Sequence, residues 1–209
     1  MEKKEKKKLT PRLFVSRLTG FLFAVYAAYN IFIIVRDADR GMPSEGILIS
    51  AVVALMFVAL AVFMWTPGVN PKNTRFLMVR RATFIVAMLV LFALRLRLIG
   101  RYVTFIDFSE MYTVLYCVPY FATLAAFFLL LIFFIFIIKR LPFYPKARVV
   151  LPVITIILFV IALVAEALLY FLYNTGMEAS VLRTVVIRPI FYLGFISLSA
   201  YFLFDPETN

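Results

Sequence analysis

Apolar residues run along this chain in six long blocks separated by short charged turns. The blocks are Leu13 to Val35, Gly46 to Trp65, a third over about 79–99, Tyr112 to Ile138, Val149 to Tyr173, and a sixth from about Thr184 to Phe204. A helix rises about 1.5 Å per residue, so about 20 apolar residues cross about 30 Å of hydrocarbon. The pattern predicts an all-α, polytopic integral membrane bundle of six transmembrane helices over 13–204, a basic tail over 1–12 and a short C-terminal tail over 205–209. The fourth block is longer than a perpendicular crossing needs and predicts a tilt or a bend, which Pro119 supplies by removing one backbone donor.

The third block is anomalous. Between Arg80-Arg81 and Arg95-Leu-Arg97 only 13 residues, Ala82 to Leu94, are free of charge, enough for about 20 Å of helix. Charged side chains must therefore lie at membrane depth, where they snorkel outward or turn into the protein. At about 100° per residue Arg81 and Arg95 fall within about 40° of each other, whereas Arg95 and Arg97 are about 160° apart and cannot share a face. One line looks inward and the other outward. Arg80 and Arg81 are expected to anchor a cytoplasmic interface, tolerant of lysine.

Two other blocks carry ionisable groups. Glu166 lies about 25 Å along the fifth helix from Val149, and Arg188 lies about one turn inside the sixth. Both fall near the level of Arg95. A lone charge there costs several kcal/mol, roughly, so Glu166 is expected to pair with Arg95 or Arg188. Tyr112, Tyr116 and Tyr120 form a stripe at i, i+4, i+8 nearby, and Tyr170 stands one turn beyond Glu166. At this spacing such a stripe serves packing or a ligand, and buried hydroxyls need partners.

Small residues mark helix contacts: Ser16, Gly20, Ala24 and Ala28 in the first block, and Gly46, Ser50 and Ala54 in the second. Trp65 reads as an interface anchor, and Tyr26, Tyr29 and Asn30 as part of an interfacial belt. Asp107 and Glu110 read as caps for the fourth helix before they read as ligands to a hard cation. Pro142 and Pro145 make a rigid basic turn between the fourth and fifth.

Composition changes the picture mainly by exclusion. The chain is 65% hydrophobic with a net charge of +11, no histidine and one cysteine. Lys and Arg divide 15 to 7 between the two sides of the membrane, which predicts both termini in the cytoplasm, in a plasma (inner) membrane. The basic loops then meet anionic headgroups, and nucleic acid is not expected as a partner. Without histidine, Ser-His and Cys-His catalysis and His-ligated zinc are excluded. Nor is there a Walker motif, an acidic phosphotransferase pair or a metalloprotease motif. Catalytic residues, metal ligands and cofactors are not expected.

Two readings stay open. One is a structural or regulatory subunit that partners another membrane protein. The other is a binding or transport component for a small anionic or zwitterionic solute, using Arg95, Glu166, Arg188, Tyr170, Tyr116 and Tyr120. The alternative is an intramembrane enzyme that acts on a lipid or lipid-linked substrate without histidine. Six short-looped spans with Ala24-x-x-x-Ala28 resemble, at the level of fold, the substrate-capturing subunits of vitamin transporters; the resemblance implies no site residue. An inverted repeat would require opposite orientations of the two halves, which six spans supply, but no residue-level match supports one.

The topology is directly testable. A reporter fused at Asn209 is expected to be active only on the cytoplasmic side, and one inserted over 174–180 only outside. A C-terminus found outside overturns the orientation.

Overall fold

In the computed structural model the described residues are 10–41, 44–65, 74–102, 110–139, 144–173 and 182–204. The Lys-rich tail, residues 66–73, Asp107, Pro142, Asn174 to Gly176 and the C-terminal tail lie outside them. The apolar blocks form α1 (Pro11–Asp39), α2 (Ser44–Trp65), α3 (Thr74–Tyr102), α4 (Met111–Lys139), α5 (Tyr144–Tyr173) and, after a π-helical turn over Leu182–Ile187, α6 (Arg188–Phe204). Six helices are thus long and apolar enough to cross a membrane. No strand occurs among the described residues.

Most helices outrun their apolar blocks, because a helix continues into polar sequence until a residue stops it. Pro11 opens α1 where its missing N–H costs nothing, with Thr10 Oγ1 accepting from Leu13 N at 3.4 Å. Gly41, at φ 65°, follows its end in the left-handed conformation that glycine adopts without strain. The expected turn around Pro145 is corrected: Tyr144 and Pro145 form the first turn of α5. Proline is compatible with a first turn for the same reason as in α1.

The helices alternate in direction. Arg12 and Arg80 both donate to the Tyr201 hydroxyl, at 3.1 and 3.0 Å. Ser16 Oγ donates to the Met64 carbonyl, and Trp65 Nε1 to the Arg17 carbonyl at 3.3 Å. These bonds place the starts of α1 and α3 beside the ends of α2 and α6. Helix α1 packs on α2 and α6, α5 on α4 and α6, and α3 on α4, whereas consecutive α2 and α3 barely touch.

Lipid is as apolar as leucine, so burial of leucine does not hold membrane helices together; close packing and polar contacts do. Here the packing is aromatic. Phe195 of α6 sits at the centre, with ring centroids of Phe23 (α1), Phe127 (α4) and Phe159 (α5) at 5.2, 5.1 and 5.2 Å and Phe57 (α2) at 6.0 Å. Helix α3 joins lower down, through Phe84 stacked on Phe134 at 5.2 Å and edge-on to Phe202 at 5.9 Å.

The small-residue stripe of α1 serves packing over part of its length. Ser16 and Gly20 are buried, Ala24 is half-buried and Ala28 is exposed. A spacing of four advances about 40° per step, so by Ala28 the stripe has rotated about 120° and Phe23 and Ala27 face the core in its place. A Cβ on Gly20 would stand 2.6 Å from Trp65 Cδ1, so the indole is a packing element of α1 and α2 as well as an interfacial one.

The expectation that Arg80 and Arg81 snorkel together is corrected. Arg80 is buried, 6% exposed, with its guanidinium carbon 5.6 Å from the Tyr201 ring centroid and 5.9 Å from that of Phe84. Successive residues point about 100° apart, and only Arg80 is in phase with Phe84, Ala87, Met88 and Leu91 on the buried face of α3. A planar guanidinium over a ring is not replaced by an ammonium. Arg80→Lys is therefore expected to lower stability by about 1–2 kcal/mol in a denaturation measurement in detergent, and Arg81→Lys to change it little.

Candidate functional site

At the opposite end of the bundle the groups expected to share a level do so. The buried face of α5 runs through Thr155, Phe159, Ala162, Ala165, Glu166 and Leu169, a helical period that points Glu166 at the interior, 8% exposed. On α6, Arg188 and Tyr192 are one turn apart and share a face. The π-helical turn before them has a local cause. Pro189 has no N–H for the carbonyl of residue 185, and widening the preceding turn accommodates the proline ring.

Glu166 Oε1 accepts a hydrogen bond from the Tyr192 hydroxyl at 2.8 Å and faces Arg188 Nη1 at 3.3 Å. The ion pair ties α5 to α6. Glu166 Oε2 is also buried and has no hydrogen-bond partner among the described residues. Arg95 of α3 takes a different partner, with its guanidinium carbon 5.4 Å from the Tyr120 ring centroid and 5.5 Å from that of Phe191. No carboxylate of the described residues pairs with it. Arg97, on the other side of α3, is exposed and forms an ion pair with Glu45 of α2, so the two lines of arginines separate as the helical phase requires.

These groups enclose a cavity of about 520 Å³. It runs from Glu166, Arg188 and Tyr192 past Arg95, Tyr116 and Tyr120 to Arg36 and Asp37, at the end of α1. Arg36 is paired with Asp37 at 2.9 Å. Among the described residues three arginines and two carboxylates thus line the cavity, and with both of these carboxylates in ion pairs the third guanidinium, that of Arg95, carries their excess charge. Tyr120 donates to the Tyr116 hydroxyl at 3.3 Å, and the rings of Tyr112, Tyr116 and Tyr120 succeed one another along α4.

Of the candidates, Arg95, Glu166, Arg188, Tyr116 and Tyr120 meet at the cavity. Tyr170 does not line it; four residues beyond Glu166 it has rotated about 40° off that direction, and its ring meets Phe171 at 5.5 Å. Tyr192, Tyr26, Tyr29 and Asn30 also line the cavity. The i, i+4 spacings of Arg188 with Tyr192 and of Tyr26 with Asn30 were the available signal. An aromatic belt facing lipid and a tyrosine-lined cavity near an interface have the same composition, which hid the second reading behind the first. Among the described residues no group of three or more Cys, Asp or Glu is placed to hold a metal ion.

No family model matches the chain, and neither a characterised protein nor a solved structure matches it. The class it defines is set by its own geometry: a six-helix membrane-spanning bundle with a polar, tyrosine-lined cavity at one end.

Glu166→Gln is expected to lower stability by about 1–2 kcal/mol, because Arg188 keeps its charge in a half-buried setting without a counter-charge. Tyr192→Phe is expected to cost about 1.5 kcal/mol. In denaturation measured in detergent, Glu166→Gln combined with Arg188→Gln is expected to be less damaging than the two single changes summed.

Proposed function

We propose that this protein is a non-enzymatic solute-binding component of a membrane, transport-related, whose cavity holds a small molecule bearing an anionic group. The observation that carries the reading is Arg95: a guanidinium in the wall of a 520 Å³ cavity, held between two aromatic faces, with no carboxylate of the described residues beside it. A cation in that position is oriented and only partly hydrated, which is what favours capture of a carboxylate or phosphate over water. Glu166 Oε2 adds an acceptor about which a hydroxyl or ammonium of the same solute is recognised, and the tyrosine faces suit an ammonium as well. Anionic and zwitterionic solutes both fit this donor set. With both termini in the cytoplasm, the cavity opens to the extracytoplasmic side of the plasma (inner) membrane.

A second reading has its own support. The Glu166–Arg188 pair with Tyr192 joins α5 to α6, and such a lock would serve a structural subunit with no solute at all. Arg95 takes no part in that lock. In a binding site Arg95→Gln is expected to cost the empty protein no more than its two ring contacts, about 1 kcal/mol, and to abolish stabilisation by ligand. A screen of inorganic phosphate, citrate, aspartate and phosphoethanolamine is expected to include at least one solute that raises the melting temperature. Saturation at about 100 times Kd corresponds to about 2.7 kcal/mol. A panel with no effect favours the structural lock instead.

A further inference from the structure

A second hollow of about 270 Å³ adjoins the cavity, and both are bordered by Tyr26, Asn30, Ser50, Arg95, Leu98 and Phe191. Its remaining walls differ in character. They are Ile49, Val53 and Phe57 of α2 and Leu91 and Leu94 of α3, with Arg97 at the rim. This is the gap left because α2 packs on α1 and α3 on α4, with little contact between α2 and α3 themselves. The hollow therefore extends the polar cavity into an apolar slot between α2 and α3.

We propose that the ligand is an anionic amphiphile, a lipid-type molecule whose headgroup lies on Arg95 and whose alkyl chain lies in the gap between α2 and α3. The inference rests on the anion-binding reading and narrows its substrate class. Three observations carry it. Arg95 borders both hollows, so one guanidinium faces a polar chamber on one side and an apolar slot on the other. The slot is lined from Ile49 to Phe57 of α2, about 12 Å of helix, a length comparable to part of an alkyl chain. At its rim α2 and α3 are bridged by the Arg97–Glu45 ion pair, an exposed contact at 41% and 65% accessibility. A soluble anion reaches the chamber from the end of α1 and has no use for the slot. A chain-bearing anion uses both, because its head reaches Arg95 while its chain never leaves an apolar surrounding.

The test uses the full-length protein in a neutral maltoside detergent, with affinity read from the ligand dependence of the melting temperature. Methyl phosphate and dodecyl phosphate supply the same anion without and with a chain. Dodecyl phosphate is expected to bind at least about tenfold more tightly than methyl phosphate. Arg95→Gln is expected to abolish both. Val53→Trp, or Ile49→Phe as a second obstruction, is expected to remove the chain preference and leave methyl phosphate within about twofold. If the preference survives both obstructions, or if the two phosphates bind alike, the amphiphile inference is overturned and the anion site stands. If binding of neither phosphate depends on Arg95, the anion reading falls with it. Should the obstructed variants not fold, intermediate chain lengths decide on the wild type: the gain must level off once the slot is filled, and a gain that grows without limit marks partition into the micelle and overturns the inference.

Discussion

The bundle is organised by a mismatch of length. Helix α3 has 13 consecutive uncharged residues where a crossing needs about 20, so arginine must enter the membrane at both ends of that run. Both ends solve the problem in one way. Arg80 lies against the rings of Tyr201 and Phe84, and Arg95 against those of Tyr120 and Phe191. A guanidinium is weakly hydrated and planar, so aromatic faces, with the Tyr201 hydroxyl as well at Arg80, replace part of its water without demanding a second buried charge. The carboxylate the bundle does bury at this end, Glu166, goes to Arg188. That allocation leaves Arg95 with its full charge facing a cavity.

Helix α6 makes the arrangement possible. It supplies Phe191 and Tyr201 to the two arginines, Arg188 and Tyr192 to Glu166, and Phe195 to the central ring cluster. A Cβ on its Gly194 would stand 2.8 Å from the Phe23 ring, which is how closely α1 and α6 approach. A helix that carries both the packing centre and the polar partners couples them: displacing Phe195 moves Phe191 away from Arg95 and Arg188 away from Glu166. Site geometry and fold stability are therefore not separable along this helix.

How far the sequence reveals this depends on the kind of information needed. Six spans follow from run length, and the inward and outward lines of α3 follow from angular phase, because both are properties of one helix at a time. The level shared by Arg95, Glu166 and Arg188 follows from counting rise. Which arginine receives the carboxylate does not, since that depends on how α3, α5 and α6 are rotated against one another, and no single-helix periodicity encodes a rotation. Arg80 was misread for a related reason: a basic residue at a span end looks the same in sequence whether it meets headgroups or a tyrosine from α6. Tyr170, one turn beyond Glu166, does not line the cavity, because the 40° rotation over four residues is enough to carry a side chain past the edge of a narrow site.

The weak seam between α2 and α3 is the last consequence of the same mismatch. A helix obliged to bury arginine at two levels must turn one face toward aromatic partners, and those partners belong to α4 and α6. Little of α3 is then left to pack on α2, whose own buried residues run from Ala54 to Met64. An exposed ion pair such as Arg97–Glu45 contributes at most about 1 kcal/mol to holding the rim closed. In water such a seam would collapse to bury its leucines, but in hydrocarbon there is no such drive, because the walls exchange one apolar neighbour for another. The apolar slot beside Arg95 thus persists without a hydrophobic penalty.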